Sequence, residues 1–275
     1  MDTASYLRRI GCRAVPGTPV RALRELHRRH LMSVPFENLD VLHRIPLGDS
    51  SASLLDKVVS RSRGGLCFEL NRTFDWLLTE LGFRVTLIGA EIADGDGYFP
   101  DIHHPVLLVE AGPRTWLADV GWGPISFPEP LRLDDAAPQR QSGVDFRVTD
   151  DGGNPLVSHR VGRGAWQRMF RLLPTPRRWP DFDHVRAFHQ TSPESPYTRK
   201  LVCYKAIGVG EHALLAGRRL TVVRNGATTE TELDDDRDHD TALTWILHGW
   251  GQPQMFALNR KERHVAAAAA RHTRT

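Results

Sequence analysis

The sequence predicts an α+β chain: helices first, then a β barrel or sandwich, then a mixed α/β segment. Three observations carry this. Apolar residues recur at helical spacing through about the first 85 residues. Short β-branched and aromatic runs follow, punctuated by turn residues. A proline-rich stretch, LLPTPRRWPDFDHVRAF, then sets these strands apart from a last α/β portion. With 275 residues, 40% of them hydrophobic and 25% charged, the chain can bury one large core or a few smaller ones.

RALRELHRRHLMSV carries Leu23, Leu26, His27 and His30 near helical spacing and stops before Pro35; its histidines are expected as packed or surface residues. SASLLDKVVSRSRG is a second, shorter helix, ended by Gly64-Gly65. CFELNRTFDWLLTELGF is the clearest helix. Phe68, Leu70, Phe74, Leu77, Leu78 and Leu81 share its apolar face, and Gly82 stands at the C′ position. RVTLIGAEI, HPVLLVE and TWLADVG read as strands, with AGPR (111–114) turning between the last two. DFRVTD, LVSHRV and AWQRMFRLL extend the β region, and a short helix is expected over 181–188. RKLVCYKAIG, HALLAGRRLTVVRNG and ATTETEL are further strands, with Asn225-Gly226 as a hairpin turn. DHDTALTWILHGWG is a closing helix, and the alanine-rich tail RHVAAAAARHTRT is expected to be frayed or extended. There are no internal repeats.

Net charge is +3 and spread along the chain, and lysine occurs only at 57, 200, 205 and 261, with no basic stripe among aromatics, so nucleic acid is not an expected partner. No apolar run approaches the roughly 20 residues of a membrane helix, so no membrane partner is expected either. MDTASYLRRIGCRA has no apolar core of a secretory signal. Cysteines stand only at 12, 67 and 203, an odd set without C-x-x-C, which argues against disulfides and zinc and for a reducing cytoplasm. Length and composition leave monomer and dimer open.

Cys67 is the residue that asks for chemistry. Gly64-Gly65 would let the backbone turn tightly before the 67–83 helix. Cys67 then falls in the first helical turn, where unpaired N–H groups and the dipole favour a thiolate and could hold an oxyanion. A small buried hydrophobe at a helix start is the alternative. A reactive thiolate wants an imidazole, and the imidazole an orienting carboxylate. If the HPVLLVE–TWLADVG hairpin closes around Gly112-Pro113, Asp119 lies opposite Val106. His104 is then two residues along on the same face, a diagonal of about 7–8 Å that side chains can bridge. His103 points the other way. Asp119 lies among apolar residues on a strand that reads as buried on both faces; it is a carboxylate that needs a partner, or else a cap for the turn at Gly121.

RGGLCFELN, the H-P-V-L-L-V strand and DVGWG, in this order, resemble the arylamine N-acetyltransferase family. HRRHLMSVPFENL (27–39) is similar to that family's N-terminal signature and QTSPESPYTRKLVC (190–203) to its later motif. The likeness covers most of the chain and is strongest over 27–123. It implies an N-terminal helical bundle (1–84), a central β barrel (85–188) and a C-terminal α/β lid (189–275) around a cysteine-protease-like core. It implies a triad of Cys67, His104 and Asp119, and ping-pong transfer of acetyl from acetyl-CoA through the cysteine to an arylamine or arylhydrazine. No permanently bound cofactor and no metal are implied. By position it also implies a structural pair of Glu37 with Arg63. Coenzyme contacts would fall at His103, Gly123, Thr191 and Ser192, and apolar acceptor walls at Phe36, Phe68, Trp122 and Phe127, for each of which plain core packing or a solvated loop is the alternative. Trp122 replaces the phenylalanine usual in D-V-G-F-G, His103 stands where relatives carry a small hydroxyl residue, and ILHGWGQPQMF is a loose match to a segment that usually reads F-G-I. Three rivals use or abandon the same residues: an amide synthase closing a macrolactam from a carrier-bound polyketide, a cysteine thioesterase, and a binding protein with a vestigial triad.

Overall fold

Helices α2 (Pro19–Ser33), α4 (Ser51–Leu55) and α5 (Cys67–Glu80) form where the apolar spacing places them, joined by two further short helices, α1 (Thr3–Arg9) and α3 (Leu39–Leu42), with a two-residue strand β1 (Phe36–Glu37) between α2 and α3. The computed structural model describes residues 2–249 apart from Pro100, Pro124 and Asn225, together with the backbone of 263–264. α2 opens on Pro19, whose fixed φ suits a first helical turn, and buries Leu23, Leu26, Leu31 and both histidines. α5 buries the expected face, with Leu81 half-buried at its end and Gly82 left-handed at φ +86°.

The Gly64-Gly65 pair needs correction. The helix through α4 runs on as a π-helical turn to Ser60, and it is Ser62, at φ +52°, that takes the left-handed conformation. Neither glycine has a positive φ. They are needed for close approach: a Cβ on Gly64 would stand 1.8 Å from the Pro35 carbonyl oxygen. Gly65 lies parallel to Phe36, its N–H donating to Pro35 at 3.4 Å and its carbonyl accepting from Glu37 N–H at 3.0 Å. The pair is a flat contact against β1, not a tight bend.

A nine-stranded antiparallel sheet follows: β2 (Arg84–Asp94), β3 (Gly97–Tyr98), β4 (His104–Ala111), β5 (Arg114–Ala118), β6 (Leu131–Arg132), β7 (Gln139–Gln141), β8 (Val144–Asp151), β9 (Asn154–Val161) and β10 (Gln167–Pro176). Its order is β6-β5-β4-β2-β10-β9-β8-β7, with β3 on β2. The two ends meet. Gln139 accepts from Arg132 N–H at 2.8 Å and donates to the Arg132 carbonyl at 2.9 Å; Gln141 does the same to Glu129 at 2.8 and 3.0 Å. Two side-chain amides thus replace main-chain ladder bonds and nearly close a barrel. Ile88, Val106, Leu117, Phe127, Phe146 and Phe170 fill it. The β4–β5 hairpin closes as expected, with Ala111 opposite Arg114 and Leu107 opposite Ala118. β5 ends there, so Asp119 stands just past the strand and not within it.

A 3₁₀ turn (Trp179–Phe182) leads into α6 (Asp183–Thr191) and α7 (Pro196–Arg199). Then come β11 (Val202–Gly208), β12 (Glu211–Ala216), β13 (Arg219–Arg224), β14 (Ala227–Glu232), α8 (Asp236–His248) and β15 (Arg263–His264). The sheet order is β1-β11-β12-β13-β14-β15, so the second sheet takes its first strand from the N-terminal region. Asn38 locks that junction: its amide donates to the Tyr197 and Lys200 carbonyls at 2.7 and 2.8 Å and accepts from Val202 N–H at 2.7 Å. Arg224 pairs with Ala227 across the expected hairpin, with Gly226 at φ +76°; Asn225 itself lies outside the described residues. Most of ILHGWGQPQMF beyond Gly249, and the tail beyond His264, also lie outside them. No helix among the described residues is long and apolar enough to cross a membrane.

Candidate active site

Cys67 is the first residue of α5, where opening N–H groups lack intrahelical acceptors. Two features fix that turn. Glu69 reaches back to accept the Leu66 N–H at 2.9 Å. Gly121 lets the turn press against the residues after β5: a Cβ there would lie 2.7 Å from the Cys67 Cα.

Glu69 also opens a buried ion network. Lys57 Nζ donates to Glu69 at 2.9 Å and pairs with Asp40 at 2.7 Å. Arg63 donates to Glu37 at 2.9 Å and to Asp40 at 3.0 Å. The Glu37–Arg63 contact is therefore one link in a chain of five charges. Burial opposes the charge on Lys57, but the carboxylates around it outweigh burial and hold its pKa above the usual lysine value.

On the other side, His104 opens β4 and is buried. Its Nε2 lies 2.7 Å from Asp119 Oδ2, and Cys67 is the other polar side chain that acts on the ring. Asp119 Oδ1 accepts from the Asn71 amide at 2.9 Å and from Gly121 N–H at 2.9 Å. Asp119 thus both pairs with a histidine and caps the turn at Gly121. Asn71 also donates to the Pro105 carbonyl at 2.8 Å and accepts from Val120 N–H at 2.9 Å, so one amide ties α5 to β4 and to the residues just after β5. Burial alone would push His104 down; the charge and hydrogen bond of Asp119, with Cys67 adding to them, carry it up to about 10. Burial works against Asp119 too, yet His104, Asn71 and Gly121 hold it below the ordinary carboxylate value. An imidazole held as a cation between a carboxylate and a thiol can sustain a thiolate. Cys12 and Cys203 are buried thiols that burial pushes up.

The remaining sequence candidates separate. Trp122 sits edge-on to His104 at 5.1 Å and packs on Phe170 at 4.8 Å. Phe68 stacks on His189 at 6.0 Å, and Phe36 packs on Tyr197 at 5.6 Å, with His189 and Tyr197 4.9 Å apart. Phe127 differs: it is fully buried in the barrel core, stacked on His27 at 5.7 Å. His103 is half-buried beside Phe99 and Phe188. Gly123, at φ +108°, has open space where a Cβ would stand. Thr191 donates its hydroxyl to Ala187 within α6 at 2.8 Å, and Ser192 Oγ accepts from Glu194 N–H at 3.2 Å. Both hydroxyls serve their own backbone.

Asn71, His27, Lys57 and Glu69 hold the site, and none was singled out from sequence. Signals existed for two. Asn71 is one helical turn after Cys67 and so shares its face. His27 opens the HRRHLMSVPFENL signature.

A family description, N-acetyltransferase, matches residues 19–247 of the chain. Proansamycin X synthase of Amycolatopsis mediterranei (strain S699) is 30% identical over 258 residues, covering 90% of this chain and 97% of that protein. The arylamine N-acetyltransferase of Mycolicibacterium smegmatis is 34% identical over 241 residues, covering 85% and 86%. The solved structure of Mycobacterium marinum arylamine N-acetyltransferase in complex with CoA superposes with a TM-score of 0.82 at 31% identity, over 90% of this chain and 93% of that one.

Proposed function

The chain belongs to the arylamine N-acetyltransferase family, and from that premise we propose that Cys67, His104 and Asp119 carry its acetyl transfer to an arylamine nitrogen. The observation that supports the assignment is the buried His104 ring, bonded to Asp119 through Nε2 at 2.7 Å and with Cys67 as its other polar neighbour. Acetyl-CoA is the donor in this reading. The Cys67 thiolate adds to the thioester carbonyl, and the C–S bond to CoA breaks. The departing CoA thiolate takes the proton of the His104 imidazolium. An arylamine, largely unprotonated at neutral pH, then adds to the acetyl-cysteine carbonyl. His104 accepts the amine's proton as the second C–S bond breaks, and the thiolate–imidazolium pair is restored. Donor and intermediate are both thioesters, so the first half-reaction is nearly balanced.

Trp122, Phe68 and Phe36 are the walls we assign to the acceptor, keeping water from the intermediate. Phe127, inside the barrel core, supports the site from behind. His103 and Gly123 are the coenzyme-side contacts we retain; Thr191 and Ser192 are engaged locally. Residues 1–84 then supply the nucleophile, 85–188 the histidine and aspartate, and 189–275 the cover. Three free cysteines among the described residues fit a reducing cytoplasm.

Mass measurement on the intact protein after mixing with acetyl-CoA tests this. One acetyl group is expected, lost on adding an arylamine and absent in Cys67→Ala. Acetylation of Cys67→Ala equal to wild type removes the assignment. A second reading has its own support, since the chain aligns with nearly the whole of a proansamycin X synthase. An amide synthase would form no acetyl-enzyme from acetyl-CoA but would still show rapid alkylation of Cys67.

A further inference from the structure

A single imidazole joins both ends of the loop that follows the triad aspartate. His27, in the middle of α2, is fully buried. Its Nε2 accepts the Asp119 backbone N–H at 3.1 Å, and its Nδ1 lies 3.0 Å from the Pro128 carbonyl oxygen. These partners fix the tautomer. A backbone N–H only donates and a carbonyl only accepts, so the proton is on Nδ1 and the ring is neutral. Burial, which pushes His27 down to about 4 against the pull of the Pro128 and Asp119 contacts, agrees. The ring is boxed in by Phe127, stacked at 5.7 Å, and by Phe74, edge-on at 5.8 Å, so its plane cannot turn freely.

Between those two anchor atoms the chain leaves the end of β5 and returns towards β6. That excursion, residues 119–128, contains the carboxylate that orients His104 and the indole that lies 5.1 Å from its ring. We propose that His27 is a positioning residue: a neutral staple across the neck of the 119–128 loop that sets Asp119 and Trp122 together against His104. The proposal rests on the assignment of Cys67, His104 and Asp119 as the triad. It gives α2 a part in the reaction although no α2 side chain reaches the reacting atoms.

The test compares wild type with His27→Gln and His27→Phe. Glutamine offers one donor and one acceptor about as far apart as the two ring nitrogens. Phenylalanine fills the aromatic box and offers neither. In His27→Phe, kcat for amine acetylation and the rate of Cys67 alkylation should fall about 10–100-fold, as expected when an outer partner of a catalytic group is lost. KM for the amine should rise because Trp122 is released, and chymotrypsin should cut native protein within 119–128 sooner. His27→Gln should recover most of each loss. A merely structural histidine would lower the melting temperature of His27→Phe and leave kcat of the folded enzyme unchanged. Folded His27→Phe with wild-type kcat and cleavage overturns the proposal. So does His27→Gln that folds equally well but performs no better than His27→Phe. If His27→Phe does not fold, hydrogen exchange on wild type decides. The Asp119 amide should be protected as strongly as the β5 amides, and exchange at a surface-loop rate overturns the staple. Wild type that forms no acetyl-enzyme and alkylates Cys67 slowly refutes the triad instead, while cleavage and exchange still judge the staple.

Discussion

Beneath Cys67 the chain packs charges; beneath Asp119 it packs neutral rings and amides. The turn that presents the thiol rests on Glu37, Arg63, Asp40, Lys57 and Glu69, three carboxylates and two cations. The residues that hold Asp119 are Asn71, a neutral His27 and backbone N–H groups. The ion network ties separate segments, 37–40, 57–63 and the start of α5. Around Asp119 a further charge would compete with His104 for the carboxylate and move the histidine's pKa. Charge is used where it holds backbone, and apart from His104 itself the groups bonded to Asp119 are neutral.

The largest expected effect breaks the neutral side. In Asp119→Asn the side-chain amide would donate to His104 Nε2, forcing the ring proton onto Nδ1, where it blocks proton transfer from the thiol. Turnover should fall by about 10³–10⁴-fold, the scale seen when a triad carboxylate becomes an amide. Steady-state kinetics beside a melting curve checks this; near-wild-type turnover would show that Asp119 does not orient the histidine. Next comes the charged side. Lys57→Met strands Glu69 and leaves Asp40 to Arg63 alone, and breaking a buried pair costs about 3–5 kcal/mol. Urea unfolding should show that loss, with turnover of the remaining folded enzyme within a small factor of wild type. A stable Lys57→Met with collapsed turnover would mean that the network tunes chemistry and not only structure.

The smallest effect sharpens the contrast through pH. His104 is raised from 6.5 to about 10, so its contribution is full below pH 6.5 and is lost as pH rises through about 10. Asp119 is lowered, so its contribution is present above 3.8 and is lost as pH falls through its depressed value. The stability gap between wild type and Asp119→Asn should therefore be widest between these limits. Urea midpoints at about pH 5.5 and about pH 10.5 check it, with the gap closing at the higher pH. An equal gap at both would place the coupling elsewhere.

Much of this was legible because it is local. Helical spacing, the Gly112-Pro113 turn and the strand alternation after it placed His104 and Asp119 on one face, and the ladder keeps that register to Leu107–Ala118. What the sequence does not show shares a cause in partners far along the chain. Gly64-Gly65 looked like a bend because glycine's freedom is a local property, whereas Pro35, the atom it must avoid, belongs to another segment. His27 looked like any helix histidine because both its bonds go to backbone groups, which have no side-chain signature. Lys57 stands between two apolar pairs, Leu54-Leu55 and Val58-Val59, in a short helical segment, with nothing local to say that Asp40 and Glu69 would close over it.

The glutamines that join β6 to β7 cover the two margins of the nine-stranded sheet. An open sheet ends in rows of unpaired N–H and C=O groups that invite another molecule's strand. Gln139 and Gln141 occupy such groups at Arg132 and Glu129 with amides that cannot be extended into a further strand. Conversion of either amide to a carboxylate, as slow deamidation does, would remove its donor and set a negative charge against a carbonyl oxygen. The barrel would then carry two adhesive margins, and an ageing preparation would lose protein to aggregation while Cys67, His104 and Asp119 were still intact.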